Sequence, residues 1–148
     1  MGTDIHLAIE VKYNGIWKFA GNIDVKRDYL LFGLMADVRT YEGIIPVSLP
    51  KGFPVDIDPL TIEMFNYDEP GHSLSYLNSA EIRKVFKKHK EYVEKNESSE
   101  FYEYSLLKII HNYHFIYYIL EDILLDKYDN EKLSNKVEDI RFIFGFDS

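Results

Sequence analysis

The stretch Asp4-Ile5-His6-Leu7-Ala8-Ile9-Glu10-Val11-Lys12-Tyr13 decides how the rest of the chain is read. Ile5, Leu7, Ile9, Val11 and Tyr13 alternate with Asp4, His6, Ala8, Glu10 and Lys12, which is the period of a strand with one buried face. Asn14-Gly15 follows, the pair that most readily takes positive φ at both centres of a type I′ turn, and Ile16-Trp17-Lys18-Phe19 supplies the returning strand. A hairpin is therefore expected, with Asp4 and His6 together on its exposed face.

Outward from the hairpin, Leu31, Leu34, Met35 and Val38 recur at helical spacing behind Asp28, so a short helix is expected there, opened by Arg27-Asp28 and closed by Arg39. Pro46, Pro50, Gly52 and Pro54 mark an irregular loop. Asp58-Pro59 reads as an N-cap and first helical residue of a helix to about Tyr67. A loop from Asp68 to Ser73 leads to a brief strand at Leu74 to Leu77, and Asn78 with Glu81 forms a capping box for a helix to about Lys95. Asn96 to Ser99 is expected to link it to a long, apolar helix from Glu100 to about Lys127, followed by a last helix to about Glu138. Ile140, Phe142, Phe144 and Phe146 then alternate with Arg141, Ile143 and Gly145, the pattern of a closing strand. The order predicts one α+β domain over residues 1–148: a small antiparallel sheet including the N-terminal hairpin and the C-terminal strand, with helices packed on one face.

The composition narrows the functions open to such a domain. With 148 residues, 46% hydrophobic, the chain has the apolar material for a packed core. It contains no cysteine, which removes disulfides and thiolate chemistry, fits a reducing compartment, and leaves only His and carboxylates as metal ligands. The opening MGTDIHLAIE lacks the basic flank and apolar centre of a signal peptide. Lys108, His111, Asn112, His114, Glu121 and Asp122 interrupt the most apolar stretch, Leu106 to Leu125, so no membrane span is expected. A formal charge of −8 disfavours duplex nucleic acid, whose affinity comes from cations on phosphates, but it is compatible with one small phosphorylated ligand held by a few arginines.

Asp4 and His6, two apart on a strand, can reach one ligand, and a carboxylate beside an imidazole can fix its tautomer and raise its basicity. The plain alternative is two solvent-side residues. Arg27, Arg39 and Arg141 offer planar forks of donors suited to phosphate, or else simple ion pairs. His72 and Ser73, expected in a loop, add a second imidazole that could act as general acid opposite His6 as base. Trp17 and Tyr76 could stack on a nucleobase. No cofactor is expected; a divalent metal on Asp4, His6, His72 and Asp147 is the variant kept open. His111 and His114 sit among tyrosines and read as packing, and the tyrosine-rich stretch from Tyr102 to Tyr118 suggests a homo-oligomer or partner interface.

Taken as a set, Gly2-Thr3-Asp4-Ile5-His6, Glu10, Trp17, Arg27-Asp28-Tyr29, Phe32, Val38-Arg39, the Pro46 to Asp56 loop with Lys51-Gly52-Phe53-Pro54, His72 and Ser75-Tyr76-Leu77 resemble a family of small uncharacterised phage and bacterial proteins. The ending Arg141-Phe142-Ile143-Phe144-Gly145-Phe146-Asp147 resembles that family's terminal strand, whereas Ala80 to Glu138 carries no resemblance. The recurring polar positions map onto Asp4, His6, Arg27, Asp28, Arg39, His72 and Asp147; Tyr76 stands where Trp is frequent, and Lys51 where Arg is frequent. Small phage proteins of this size include antagonists of bacterial nucleotide-signalling defences. The resemblance thus implies a protein of the host cytoplasm that binds a cyclic dinucleotide or ADP-ribose-type signal, cleaving it by histidine-based phosphodiester chemistry or holding it as a sponge.

Overall fold

The structure, a computed structural model, describes residues 2–95 and 137–148. The expected linker, the long helix, the last helix, His111 and His114, and the tyrosine-rich interface lie outside the described residues. Seven elements are seen: β1 (Asp4–Tyr13), β2 (Ile16–Ile23), α1 (Tyr29–Ala36), α2 (Pro59–Tyr67), β3 (His72–Asn78), α3 (Ser79–Lys95) and β4 (Asp139–Asp147). The strands form one antiparallel sheet in the order β2-β1-β4-β3, the α+β architecture the sequence predicts.

The hairpin turns as its sequence requires: Asn14 and Gly15 both take positive φ, at 49° and 75°. Strand β4 then fills the centre of the sheet, pairing with β1 without a register shift from Asp4↔Asp147 to Lys12↔Asp139. Ile5, Leu7, Ile9 and Val11 share one face with Ile140, Phe142, Phe144 and Phe146, and α1 and α3 close this main core. Helix α1 is buried from Leu30 to Ala36 rather than along a single stripe, because its outer side is covered as well. Thr40 lies against Gly33, where an added Cβ would come within 2.9 Å of its Oγ1, and Val47 N–H donates to Leu34 O at 2.8 Å. Asp28 caps α1 through Leu31 N–H (3.1 Å) and also meets His89 Nε2 of α3 at 2.8 Å, so one buried carboxylate joins the two helices. The capping box of α3 forms in both directions, Asn78 N–H to Glu81 (3.1 Å) and Glu81 N–H to Asn78 (2.9 Å).

The opposite face of the sheet departs from the expectation of an exposed surface. Ala8 and Glu10 are fully buried there, because α2 and the loop before it lie across the face and bring Phe65 onto Ala8 and Ile143. Glu10 is the anchor. Its Oε1 accepts from Arg141 Nε (2.9 Å) and Nη2 (2.6 Å), while its Oε2 accepts from Asp58 N–H (2.9 Å) and Thr61 Oγ1 (2.6 Å). Arg141 completes its fork on Asp56 through Nη1 to Oδ1 (2.8 Å) and packs under Trp17, 4.2 Å from the ring centre. A buried ion pair with every lone pair used holds α2 on the sheet, and removing one partner is costlier than removing both. Glu10→Leu is therefore expected to destabilise the protein by about 3–5 kcal/mol. Glu10→Leu with Arg141→Met should recover most of that loss, as read from urea midpoints of the single and double variants.

Candidate functional site

The second face of the sheet carries polar groups at both ends, separated by the small apolar contact of Ala8, Ile143 and Phe65. At one end lie Glu10, Arg141, Trp17 and Tyr76. At the other, where β1 begins and β4 ends, lie Asp4, His6 and Asp147.

His6 stands opposite Gly145, with a side chain 13% exposed. Its Nε2 is 2.6 Å from Asp147 Oδ2 and its Nδ1 is 2.8 Å from Asp68 Oδ1. Asp68 is the C-cap residue of α2, and its role is not legible in the sequence, since a lone Asp in a polar turn gives no sign of its spatial partner. It reaches His6 because the turn that follows lies flat on β4: Gly71 N–H donates to Phe146 O at 2.7 Å, and a Cβ on Gly145 would come 2.6 Å from both Pro70 Cβ and Leu74 Cδ2. Burial opposes a charge on His6, but the hydrogen bonds to Asp68 and Asp147 and their two negative charges outweigh it, and the pKa is raised above the ordinary histidine value. Both ring nitrogens are thus engaged with carboxylates.

Asp4 does not orient His6. Its carboxylate is bound bidentately by Arg27, Nε to Oδ1 at 3.0 Å and Nη2 to Oδ2 at 2.9 Å, and the guanidinium beside it lowers its pKa. Next to it, Arg39 Nε donates to Thr3 Oγ1 at 2.9 Å, and its guanidinium carbon sits 5.6 Å from the centre of the Tyr29 ring. Thr3 N–H in turn donates to Tyr29 Oη at 3.1 Å. Arg27 and Arg39 are therefore gathered at one corner by the consecutive residues Thr3 and Asp4, and both are exposed to solvent. Thr3 and Tyr29 join the two arginines here, a role that the sequence does not signal, because neither a threonine nor a helix-start tyrosine is a chemistry-bearing side chain by type.

His72 is not beside His6. It begins β3 rather than lying in a loop, pairs with Phe146, and stacks on the Phe146 ring with centroids 6.2 Å apart. Residues directly opposite in an antiparallel ladder share a face, so His72 lies on the Phe146 face and His6 on the Gly145 face. Ser73, at a positive φ of 55° in the bulge that follows, has its Oγ 3.0 Å from His72 Nδ1, and Ser148 Oγ lies 2.8 Å from Nε2. Arg141, Trp17 and Tyr76 belong to the far end of the face, where Arg141 is consumed by Glu10 and Asp56 and lies between the two rings.

The same geometry bears on the metal variant. Asp68 and Asp147 occupy opposite nitrogens of one imidazole and cannot share an ion with it, and His72 lies across the sheet. Among the described residues no group of three or more His, Cys, Asp or Glu side chains is arranged to hold a metal ion. Nor is any described helix long and apolar enough to cross a membrane.

Gly145 is where the site and the fold meet, since a side chain there would lift the Pro70 turn from β4 and pull Asp68 from His6. Gly145→Ala is expected to cost about 1–3 kcal/mol, the usual penalty for overpacking, and to lower the His6 pKa measured by NMR titration. No family model, curated protein or solved structure matches this chain, so the bearing on function is that of the site's own chemistry.

Proposed function

We propose that the protein binds a small phosphorylated nucleotide, a cyclic dinucleotide or an ADP-ribose-type signal, and sequesters it, acting as a phage-type antagonist of a nucleotide-signalling defence. The observation that carries this reading is the corner at which Thr3 and Asp4 hold Arg39 and Arg27 beside Tyr29. Two guanidinium groups fixed in orientation lose less entropy on meeting a phosphate than two free ones, and their planar forks match its oxygens. Arg27 is held through Nε and Nη2 and lies against Gly2, which fixes the plane of its guanidinium. The half-buried Tyr29 ring, already 5.6 Å from the Arg39 guanidinium, is the aromatic surface that the corner offers a base.

Sequestration is favoured over cleavage by the separation of the histidines. Acid and base must both reach one phosphodiester. His6 and His72 lie on opposite faces, and His6 is committed to two carboxylates. The carboxylates of Asp4, Asp68 and Asp147 also surround His6 with negative charge, which directs an anionic ligand to the arginine side of the corner.

Incubation with cyclic dinucleotides and cyclic ADP-ribose isomers, followed by heat denaturation and mass spectrometry, is expected to return a bound ligand intact and in stoichiometric amount. Arg27→Ala and Arg39→Ala are each expected to weaken calorimetric affinity at least about tenfold, the loss of a charge-assisted hydrogen bond. Multiple turnover would replace the sponge by an enzyme, and an absence of binding across the panel at millimolar ligand would refute the nucleotide reading.

A further inference from the structure

We propose that His6 is a proton-operated clasp that holds the turn after α2, residues 68–71, against the end of β4, and opens when the imidazole becomes neutral. The clasp depends on how many donors the imidazole has and on no ligand. A protonated imidazole has two N–H donors, and here each meets a carboxylate: Nδ1 at Asp68 (2.8 Å) and Nε2 at Asp147 (2.6 Å). A neutral imidazole has one. Whichever nitrogen loses its proton then points a lone pair at a carboxylate oxygen less than 3 Å away, and that contact turns from attraction to repulsion.

Of the two contacts, the one to Asp68 is the one built to yield. Asp147 is the last residue of β4, paired with Asp4 in the sheet, and its Oδ1 also accepts from Asp4 N–H at 3.4 Å. Asp68 ends a short helix and is followed by Glu69-Pro70-Gly71, whose tether to the sheet is Gly71 N–H to Phe146 O at 2.7 Å. The groups that face His6 from the surrounding elements are Asp4 on β1, Asp68 after α2 and Asp147 on β4, with Arg27 bound to Asp4 ahead of α1. The carboxylates favour the charged imidazole and the guanidinium opposes it, but Arg27 is spent on Asp4, so Asp68 and Asp147 prevail and the clasp is shut when His6 is charged.

The sign follows from linkage. His6 has a folded pKa above its unfolded value, so its stabilisation is fully present below the unfolded pKa of about 6.5 and is lost as pH rises through the folded pKa. Opening exposes the strip of β4 beside Gly145 and frees the residues that lead into β3.

The test is hydrogen exchange of the Gly71 amide in the full chain, expressed as a protection factor so that the intrinsic pH dependence is removed, alongside NMR titration of the His6 ring. Gly71 protection is expected to fall through the His6 titration, approaching tenfold for each unit by which the pKa of the closed state exceeds that of the opened one, while the amide of Phe144 at the centre of β4 stays protected. Asp68→Asn is the discriminating variant. Its amide can accept from a protonated Nδ1 or donate to a neutral one, so the pH dependence of Gly71 should disappear with the turn still in place. The proposal is overturned if wild-type Gly71 protection is flat across the His6 titration, if Phe144 loses protection in step with Gly71, or if Asp68→Asn keeps the wild-type pH dependence. Should Asp68→Asn not fold, the wild-type comparison of Gly71 with Phe144 decides alone.

Discussion

Strand β4 reaches the molecule's centre from the far end of the chain and pairs with β1 over its whole length, from Asp4↔Asp147 to Lys12↔Asp139. This pairing is the constraint on which the other contacts depend. It supplies β1 with Phe142, Phe144 and Phe146 on one face, closing the main core beneath α1 and α3. On the other face it sets Arg141 opposite Glu10 and Gly145 opposite His6, and it brings Asp147 within reach of the imidazole. A slip of one residue would exchange the two faces and put the phenylalanines where the charges now lie, so the apolar alternation itself enforces the register.

Two charge clusters use the same face of the sheet in different ways because they differ in burial. Glu10 and Arg141 are sealed beneath Trp17 and the loop before α2, and each polar atom of the carboxylate has a partner. Desolvation has already been offset there by local hydrogen bonds, and such a pair acts as a fastener. At the opposite end Asp4, Arg27, Asp68 and Asp147 remain about half exposed around a largely covered His6. Water can compete for those contacts, so their strength responds to protonation and to incoming charge.

This difference also orders the candidate site. Arginine at position 141 resembles a phosphate ligand only until its neighbours are known, whereas Arg27 and Arg39 are steered outward by the strand start that holds them. His6 serves as a junction between elements, and His72 is turned to the other face by the pairing of β3 with β4 and by its stacking on Phe146. The corner therefore does not bring two histidines together on one face.

Local rules made much of the fold legible. The Asn14-Gly15 turn, the Asp28 and Asp58 caps, the Asn78 and Glu81 capping box and the alternation of β1 and β4 each rest on contacts within a few residues or on a simple period, and all appear in the structure. Fragments of the site were equally legible: Asp4, His6, Arg27, Arg39 and Asp147 do gather at one end of β1. Their partnerships were not, because Asp68 meets His6 across 62 positions of sequence, and Arg141 meets Glu10 across 131. The sequence by itself determined which residues alternate, cap and turn, since those choices are made by neighbours in the chain. Only the tertiary structure decided which face α2 would cover, which carboxylate each cation would take and on which side of the sheet each histidine would stand, because strand pairing at long range sets which side chains share a face and a hydrogen bond.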